Sequence, residues 1–318
     1  MTEFLQHLVN GVSLGTIYAL IALGYTMVYG VLKLINFAHG DVYMVGAFMG
    51  YYLAGFWRLG GAASAGGGAT PGSVVRAFLI TAASMVVCGF LGYVIERFAY
   101  RPLRDRPRLT ALITAIGVSF LLEFGFQLNF RGSNFPPGPT PRIFPTLFEG
   151  HDTGWLSSLG VNLYTTDLLT LGVAILLMVL LQWIVYRTKF GTAMRAVSFD
   201  HQVAGLMGIP VNRIISWTFV LGSALAAAAG ILFAVTRPRI DPLMGLMFGL
   251  KAFVAAVLGG IGSVPGAMVG GMVLGLSEEF VAGYLLSSYR DAIAFGILIL
   301  VLVLRPSGLF GRTTVEKV

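Results

Sequence analysis

The sequence predicts an all-α, polytopic membrane protein with eight or nine transmembrane helices and a cytoplasmic C-terminus. Three observations lead there. Hydrophobic residues are 56% of the 318-residue chain and charged residues 11%, where a soluble domain carries about 25% charge. Mean hydropathy is +0.82, and apolar runs of about twenty residues recur along the whole length, as bilayer-crossing helices require. Glycine is abundant (42 residues), and small residues recur four apart at Gly11/Gly15, Gly222/Ala226, Gly266/Gly270 and Gly271/Gly275, a spacing that lets helices pack closely.

The runs come in order. The first is Leu8–Leu32, and its start lacks a basic flank and a small-residue cleavage site, so it reads as a retained span rather than a signal peptide. Lys33 and the polar motif Asn36-Phe37-Ala38-His39-Gly40-Asp41 follow, then a run at Val42–Trp57. A Gly/Ala/Ser loop, Arg58–Gly72, reads as flexible and chemically empty. Val74–Ile95 is the third span, and after it comes a basic loop with Arg97, Arg101, Arg104, Arg106 and Arg108. Ala111–Phe130 is the fourth. The Pro-rich loop over residues 131–167 cannot hide a core of its own but can form a partner's docking surface. Leu168–Tyr186 and Ile214–Val235 flank a polar stretch, Arg187–Arg213. Leu246–Ile261 is apolar but short, so it either crosses or re-enters. Ala267–Leu286 and Ala292–Leu304 complete the set before a basic tail.

Charge sets the orientation. With Lys33, the Arg97–Arg108 loop, Arg187–Arg213 and the tail inside, thirteen basic residues face the cytoplasm and seven the other side, as the positive-inside rule favours. The net charge of +7 is then explained by cytoplasmic loops, without a nucleic-acid partner. Cys88 stands alone, which excludes an internal disulfide.

Intramembrane charges are functional candidates by default, because burial without a partner costs several kcal/mol. Glu123, Lys251, Glu278 and Glu279 qualify; interhelical pairing is the plainer reading, and Lys251 could snorkel to the interface. The Asn36–Asp41 motif is either a polar turn or a helix break on a substrate path, where helix ends could hold a zwitterion's carboxylate and ammonium. That makes Asn36, Phe37, His39, Gly40 and Asp41 path candidates; no metal is expected, since His39 has no second His or Cys at ligand spacing. The Gly-rich turn Gly259–Gly266 is no phosphate loop, because no Lys-Ser or Lys-Thr follows and no strand precedes. No catalytic constellation appears, so a membrane enzyme is disfavoured.

Arg187–Arg213 is too polar to span and long enough to fold. A short helix is predicted over Phe199–Met207, capped by Ser198 or Asp200 and stopped by Gly208 and Pro210. Val203, Leu206 and Met207 form an apolar ridge on it, which calls for a partner groove. Gly191 and Ala204 belong to a pattern of small and apolar residues unusual for an exposed loop, and Arg195 and Asp200 could fix the orientation of the helix.

This stretch resembles the coupling loop of ABC-importer permeases, and the resemblance covers nearly the whole chain. GTIYALIALGYTMVYG at 15–30, INFAHGDVYM at 35–44, ERFAYRP at 96–102, LKAFVAAVLGGIGSVPGA at 250–267 and the terminal VEKV are similar to the LivH-type permeases of high-affinity branched-chain amino acid transporters. The match is weakest in Arg58–Gly72 and the 131–167 loop. It implies an ABC-importer permease fold over residues 1–318, with residues 187–213 as the cytoplasmic coupling loop and 131–167 as a periplasmic loop. It also implies a second, homologous permease subunit, two cytoplasmic ATPase subunits that use ATP while this chain binds no cofactor, and a periplasmic amino-acid-binding protein, all at the bacterial inner membrane. The implied substrate is leucine, isoleucine or valine; relatives also carry urea, amides or other amino acids. The rival from another class is an ion-coupled secondary carrier using Glu123 or Glu278, and it is distinguished by its energy source.

Overall fold

A helix that is apolar on every side is stable only where no face meets water, either inside protein or against lipid. The first helix, α1 (Thr2–Leu32), has that composition, and all its residues from Leu14 to Val28 are buried. In this computed structural model, which describes residues 2–59, 71–104, 106–130, 135–147, 150–155 and 160–311, α1 is the axis. It lies against α10 (Val264–Tyr284) along the predicted small-residue stripes. A Cβ on Gly275 would stand 2.4 Å from the Gly15 Cα, and one on Gly271 2.5 Å from the Ala19 Cα. Close approach of this kind is how helices gain packing contacts where lipid offers no hydrophobic drive.

Around the axis pack α8 (Val211–Thr236), α2 (His39–Leu59) and α9 (Met244–Gly259). Three helices stand further out: α3 (Pro71–Ile95), α4 (Arg108–Gln127) and α5 (Thr165–Arg187). Each is apolar on both its inner and its outer face; α4 buries Ala111, Ala115, Ser119, Glu123 and Phe126 at helical spacing and exposes Ile113, Leu121 and Phe124. That is the pattern of a lipid-facing helix. The last helix, α11 (Arg290–Leu304), exposes Ile299, Leu300, Val303 and Leu304.

Every predicted apolar run falls mainly on a helix, the runs ending at Phe130, Ile261 and Leu286 extending two or three residues past theirs. Among the described residues, seven helical segments are long and apolar enough to cross a membrane; α9, at 16 residues, is too short by that measure, and α2 is not among the seven. Those two separate seven from the upper expectation of nine.

The Pro-rich loop is tied to the helices where it is described. Its strand β1 (Arg142–Ile143) pairs antiparallel with β2 (Arg239–Ile240), after α8. Phe144 is buried beside them and packs toward Gly50 of α2. Most of the Arg58–Gly72 loop and the last seven residues lie outside the described residues.

Two expectations are corrected. Arg187–Arg213 holds two helices rather than one: α6 (Lys189–Phe199) and α7 (His201–Leu206). Phe199 ends the first, and Ser198 sits inside it instead of capping. Lys251 does not snorkel; it is buried in an ion cluster, because carboxylates from two neighbouring helices meet it there.

Candidate functional site

The α6–α7 arm is built by local hydrogen bonding. Thr188 Oγ1 accepts from the Gly191 N–H at 3.1 Å and so caps α6. Gly191 then presses on the end of α5, where a Cβ would lie 2.1 Å from the Val185 carbonyl oxygen; only glycine lets the chain double back so tightly. Arg195 Nη1 donates to that same Val185 oxygen at 3.0 Å, and its guanidinium stands 5.4 Å from the centre of the Tyr186 ring. A cation at the C-terminal end of α5 also suits the helix dipole. Ser198 Oγ donates to the Arg195 carbonyl at 3.1 Å.

Asp200 breaks the arm. Its backbone is extended (φ −153°, ψ 120°), and its Oδ1 accepts from the N–H groups of Gln202 and Val203 at 2.8 and 3.0 Å. It is therefore the cap of α7, one of the two residues expected for that role. Ala204 is buried. Gly208, at φ +81°, ends the element by taking the left-handed backbone that L side chains resist. A contact invisible to sequence reasoning fixes the far side: His201 Nε2 lies 2.6 Å from the Val31 carbonyl, at the end of α1. The arm is thus anchored to α5, to α1 and, through Gly208–Pro210, to α8.

What the arm presents outward is apolar. Phe199 is 94% exposed, Leu206 87%, Met207 78% and Val203 54%. The expected ridge exists, and Phe199 extends it across the break.

The second candidate lies in the turn between α1 and α2. Asn36 is buried and its Oδ1 accepts from the Tyr100 hydroxyl at 2.7 Å. Phe37 packs toward Phe253 of α9. Gly40 touches α9 so closely that a Cβ would meet the Gly245 carbonyl oxygen at 2.3 Å and the Gly249 Cα at 2.6 Å. His39 is buried, its ring edge-on to Tyr25 at 4.7 Å. The N–H groups of His39 and Asp41 are already bonded to the carbonyls of Asn36 and Ala38. Asp41 Oδ2 accepts from Ser119 Oγ of α4 at 2.5 Å, whereas Asp41 Oδ1 and His39 Nε2 have no hydrogen-bond partner among the described residues. One turn beyond Ser119, Glu123 is buried with its Oε1 also unpartnered. Ser119 was not singled out from sequence, yet its spacing of four from Glu123 in an apolar run was the available signal.

The remaining intramembrane charges are paired. Lys251 Nζ lies 2.8 Å from Glu278 Oε1 and 2.7 Å from Asp291 Oδ1, and Tyr18 donates to Glu278 Oε2 at 2.7 Å. Glu279 meets Arg237 at 2.8 Å and Arg290 at 3.1 Å. The two candidate sites do not touch; the path from one to the other runs through the end of α1.

Comparison with known proteins places this architecture. The family described as branched-chain amino acid transport system / permease component matches residues 7–302. The permease protein BraD of Pseudomonas aeruginosa, from a high-affinity branched-chain amino acid transport system, is 44% identical over 99% of this chain and 98% of its own length. LivH of Escherichia coli, described in the same terms, is 42% identical over 99% and 98%. LivM of Escherichia coli, a permease protein of the same kind of system, is 26% identical over 95% of this chain and 69% of its own. A match over nearly the whole length, on helices arranged to span a membrane, leads to one conclusion: the chain belongs to the family of permease components of branched-chain amino acid transport systems.

Proposed function

We propose that this chain is one permease subunit of an ATP-driven importer of leucine, isoleucine and valine, a multi-pass protein of the bacterial inner membrane working by alternating access. It forms a single permease domain over residues 1–318. The substrate class follows the names of its relatives. Both LivH and LivM of one organism resemble it, which supports a second, homologous permease as its partner. Two cytoplasmic ATPase subunits and a periplasmic binding protein, the latter meeting the 131–167 loop, complete the assembly. ATP is used by those partners, and this chain binds no cofactor.

The observation that carries the coupling role is the anchored arm with an exposed apolar ridge. Force passes only through an element that resists deformation, and α6–α7 is held at α5, α1 and α8 by Arg195, His201 and the Gly208 turn. An ATPase groove that takes Phe199, Val203, Leu206 and Met207 would move these three helix ends together when ATP closes the ATPase pair. The turn at Asn36–Asp41 adjoins α1, so the same motion reaches the unpartnered oxygens of Asp41 and Glu123, whose charge suits a substrate ammonium.

Leu206→Glu tests the coupling. In vesicles made with the partner subunits, ATP-dependent leucine uptake should fall about tenfold or more, the cost of one carboxylate forced into an apolar groove, while the variant inserts and elutes normally. Uptake at the parental rate would remove the arm from the mechanism. Uptake that needs only a proton or sodium gradient would favour a carrier.

A further inference from the structure

The side of the membrane that holds the arm also holds a groove of about 1060 Å³ between α3 and α8. Two matched stripes line it. Along α3 and the turn that follows run Phe90, Tyr93, Arg97 and Arg101; along α8, read toward its start, run Val220, Trp217 and Arg213. Both stripes pass from apolar to aromatic to cationic, at helical spacing. The helices touch along a neighbouring line, where Gly92 meets Ser223 and where Ser216 hydrogen-bonds Glu96, and the groove opens outward beside it.

We propose that this groove seats an anionic phospholipid, with its phosphate among Arg97, Arg101 and Arg213 and an acyl chain against Phe90, Trp217 and Val220. Charge supports that occupant. Glu96, the one buried acid nearby among the described residues, is neutralised by Arg104, and none of Arg97, Arg101 and Arg213 has an ion-pair partner among the described residues. The charged lining along both stripes is therefore of one sign. Depth supports it too. Phe90 is 67% exposed and Trp217 58%, and Val86 and Val87 continue the same exposed apolar surface deeper along α3, where hydrocarbon is the surrounding solvent. An indole and a phenol between that surface and a cationic rim are the side chains expected at headgroup level, and basic pockets between membrane helices suit anionic headgroups. A free phosphate would leave the apolar half unused. Gly205 and Ile209 of the arm form the groove's edge, so a seated lipid would brace α7 from below. This inference does not depend on what the transporter carries.

Native mass spectrometry of the purified chain, alone and assembled with its partner subunits, tests it with phosphatidylglycerol against phosphatidylcholine. At roughly a fivefold gain per basic residue near an anionic surface, the parent should prefer phosphatidylglycerol by about tenfold or more. Arg97→Gln/Arg101→Gln/Arg213→Gln should lose the preference, and the same three positions changed to Lys should keep most of it, which separates lost charge from a lost fold. Arg187→Gln/Lys189→Gln, where α5 meets the arm, should change it little. Three results would overturn the lipid site: a preference that survives the triple Gln change, one lost equally in the arm control, or one displaced by inorganic phosphate. If the preference is present in the lone chain and gone in the assembly, a protein partner occupies the groove and the lipid assignment fails.

Discussion

Two buried polar clusters lie on either side of α9, and they are built on opposite principles. Around Lys251 every strong group has a partner: Glu278, Asp291 and Tyr18 come from α10, α11 and α1 to meet it. Between α2 and α4, Asp41 Oδ1 and Glu123 Oε1 are also buried and have no hydrogen-bond partner among the described residues, and His39 Nε2, likewise unpartnered, faces Gly24 of α1 from the same turn of α2. A saturated cluster returns its desolvation cost through geometry and acts as a structural clamp. An unsaturated one keeps that cost on the fold, which suits the proposed role of this seam in meeting a substrate. The first should therefore respond to mutation in stability, and the second in transport.

The largest effect is expected at Lys251. Lys251→Ala leaves Glu278 buried with only a tyrosine, and removing one member of a buried pair costs about 3–5 kcal/mol. Thermal unfolding in detergent should show a loss of that order, with Lys251→Met/Glu278→Met recovering most of it, because an apolar replacement of the pair is often neutral. A Lys251→Ala protein that melts with the parent would mean the clamp is not one.

Gly40→Ala is next. A methyl there would meet backbone of α9 at Gly245 and Gly249, and backbone cannot rotate aside, so about 1–3 kcal/mol of overpacking is expected. The forced separation also draws Asp41 away from Gly245, where its Oδ1 now rests. Both unfolding and uptake should suffer, unlike at either cluster alone.

Asp41→Asn and Glu123→Gln should reverse the Lys251 pattern. An amide is cheaper to bury than an unpaired carboxylate, so unfolding should stay within about 1 kcal/mol of the parent or improve. Leucine uptake should fall about tenfold, the scale of one lost hydrogen bond to a charged group. Parental uptake with either variant would return this seam to a purely structural role.

How much of this was legible in the sequence depends on range. The nine apolar runs are helices because length and apolarity are local properties, and Gly11/Gly15 and Gly271/Gly275 could be named as packing stripes because period alone marks them. That these two stripes meet each other across α1 and α10 could not be read, since pairing needs the third dimension. Pairing was also the plainer expectation for the intramembrane charges. It holds for Lys251, Glu278 and Glu279 and not for Glu123 Oε1, and nothing local to Glu123 in the sequence marks that difference. On the arm the exposed ridge and both stop signals were visible, whereas the break at Asp200 was not. An aspartate that caps one helix while ending another looks, in sequence, like a single cap. The His201–Val31 tie spans 170 positions and leaves no local mark at all.

The smallest effect sharpens the comparison by testing its boundary. Glu279 is buried, but its partners Arg237 and Arg290 keep 41% and 30% of their side chains exposed. When Glu279→Gln removes the charge, both guanidiniums can turn to water, and the amide oxygen can still accept one hydrogen bond. The cost is therefore set by partly exposed pairs, about 1 kcal/mol or less, although Glu279 is adjacent in sequence to Glu278 and similarly buried. Unfolding of the Gln variants at 278 and 279, side by side and at low and high salt, checks this: only the change at 279 should shrink as salt rises, because only its partners reach solvent. Equal, salt-independent losses at both positions would show that burial of the carboxylate alone, and not the saturation of its partners, sets what a charge in this membrane core is worth.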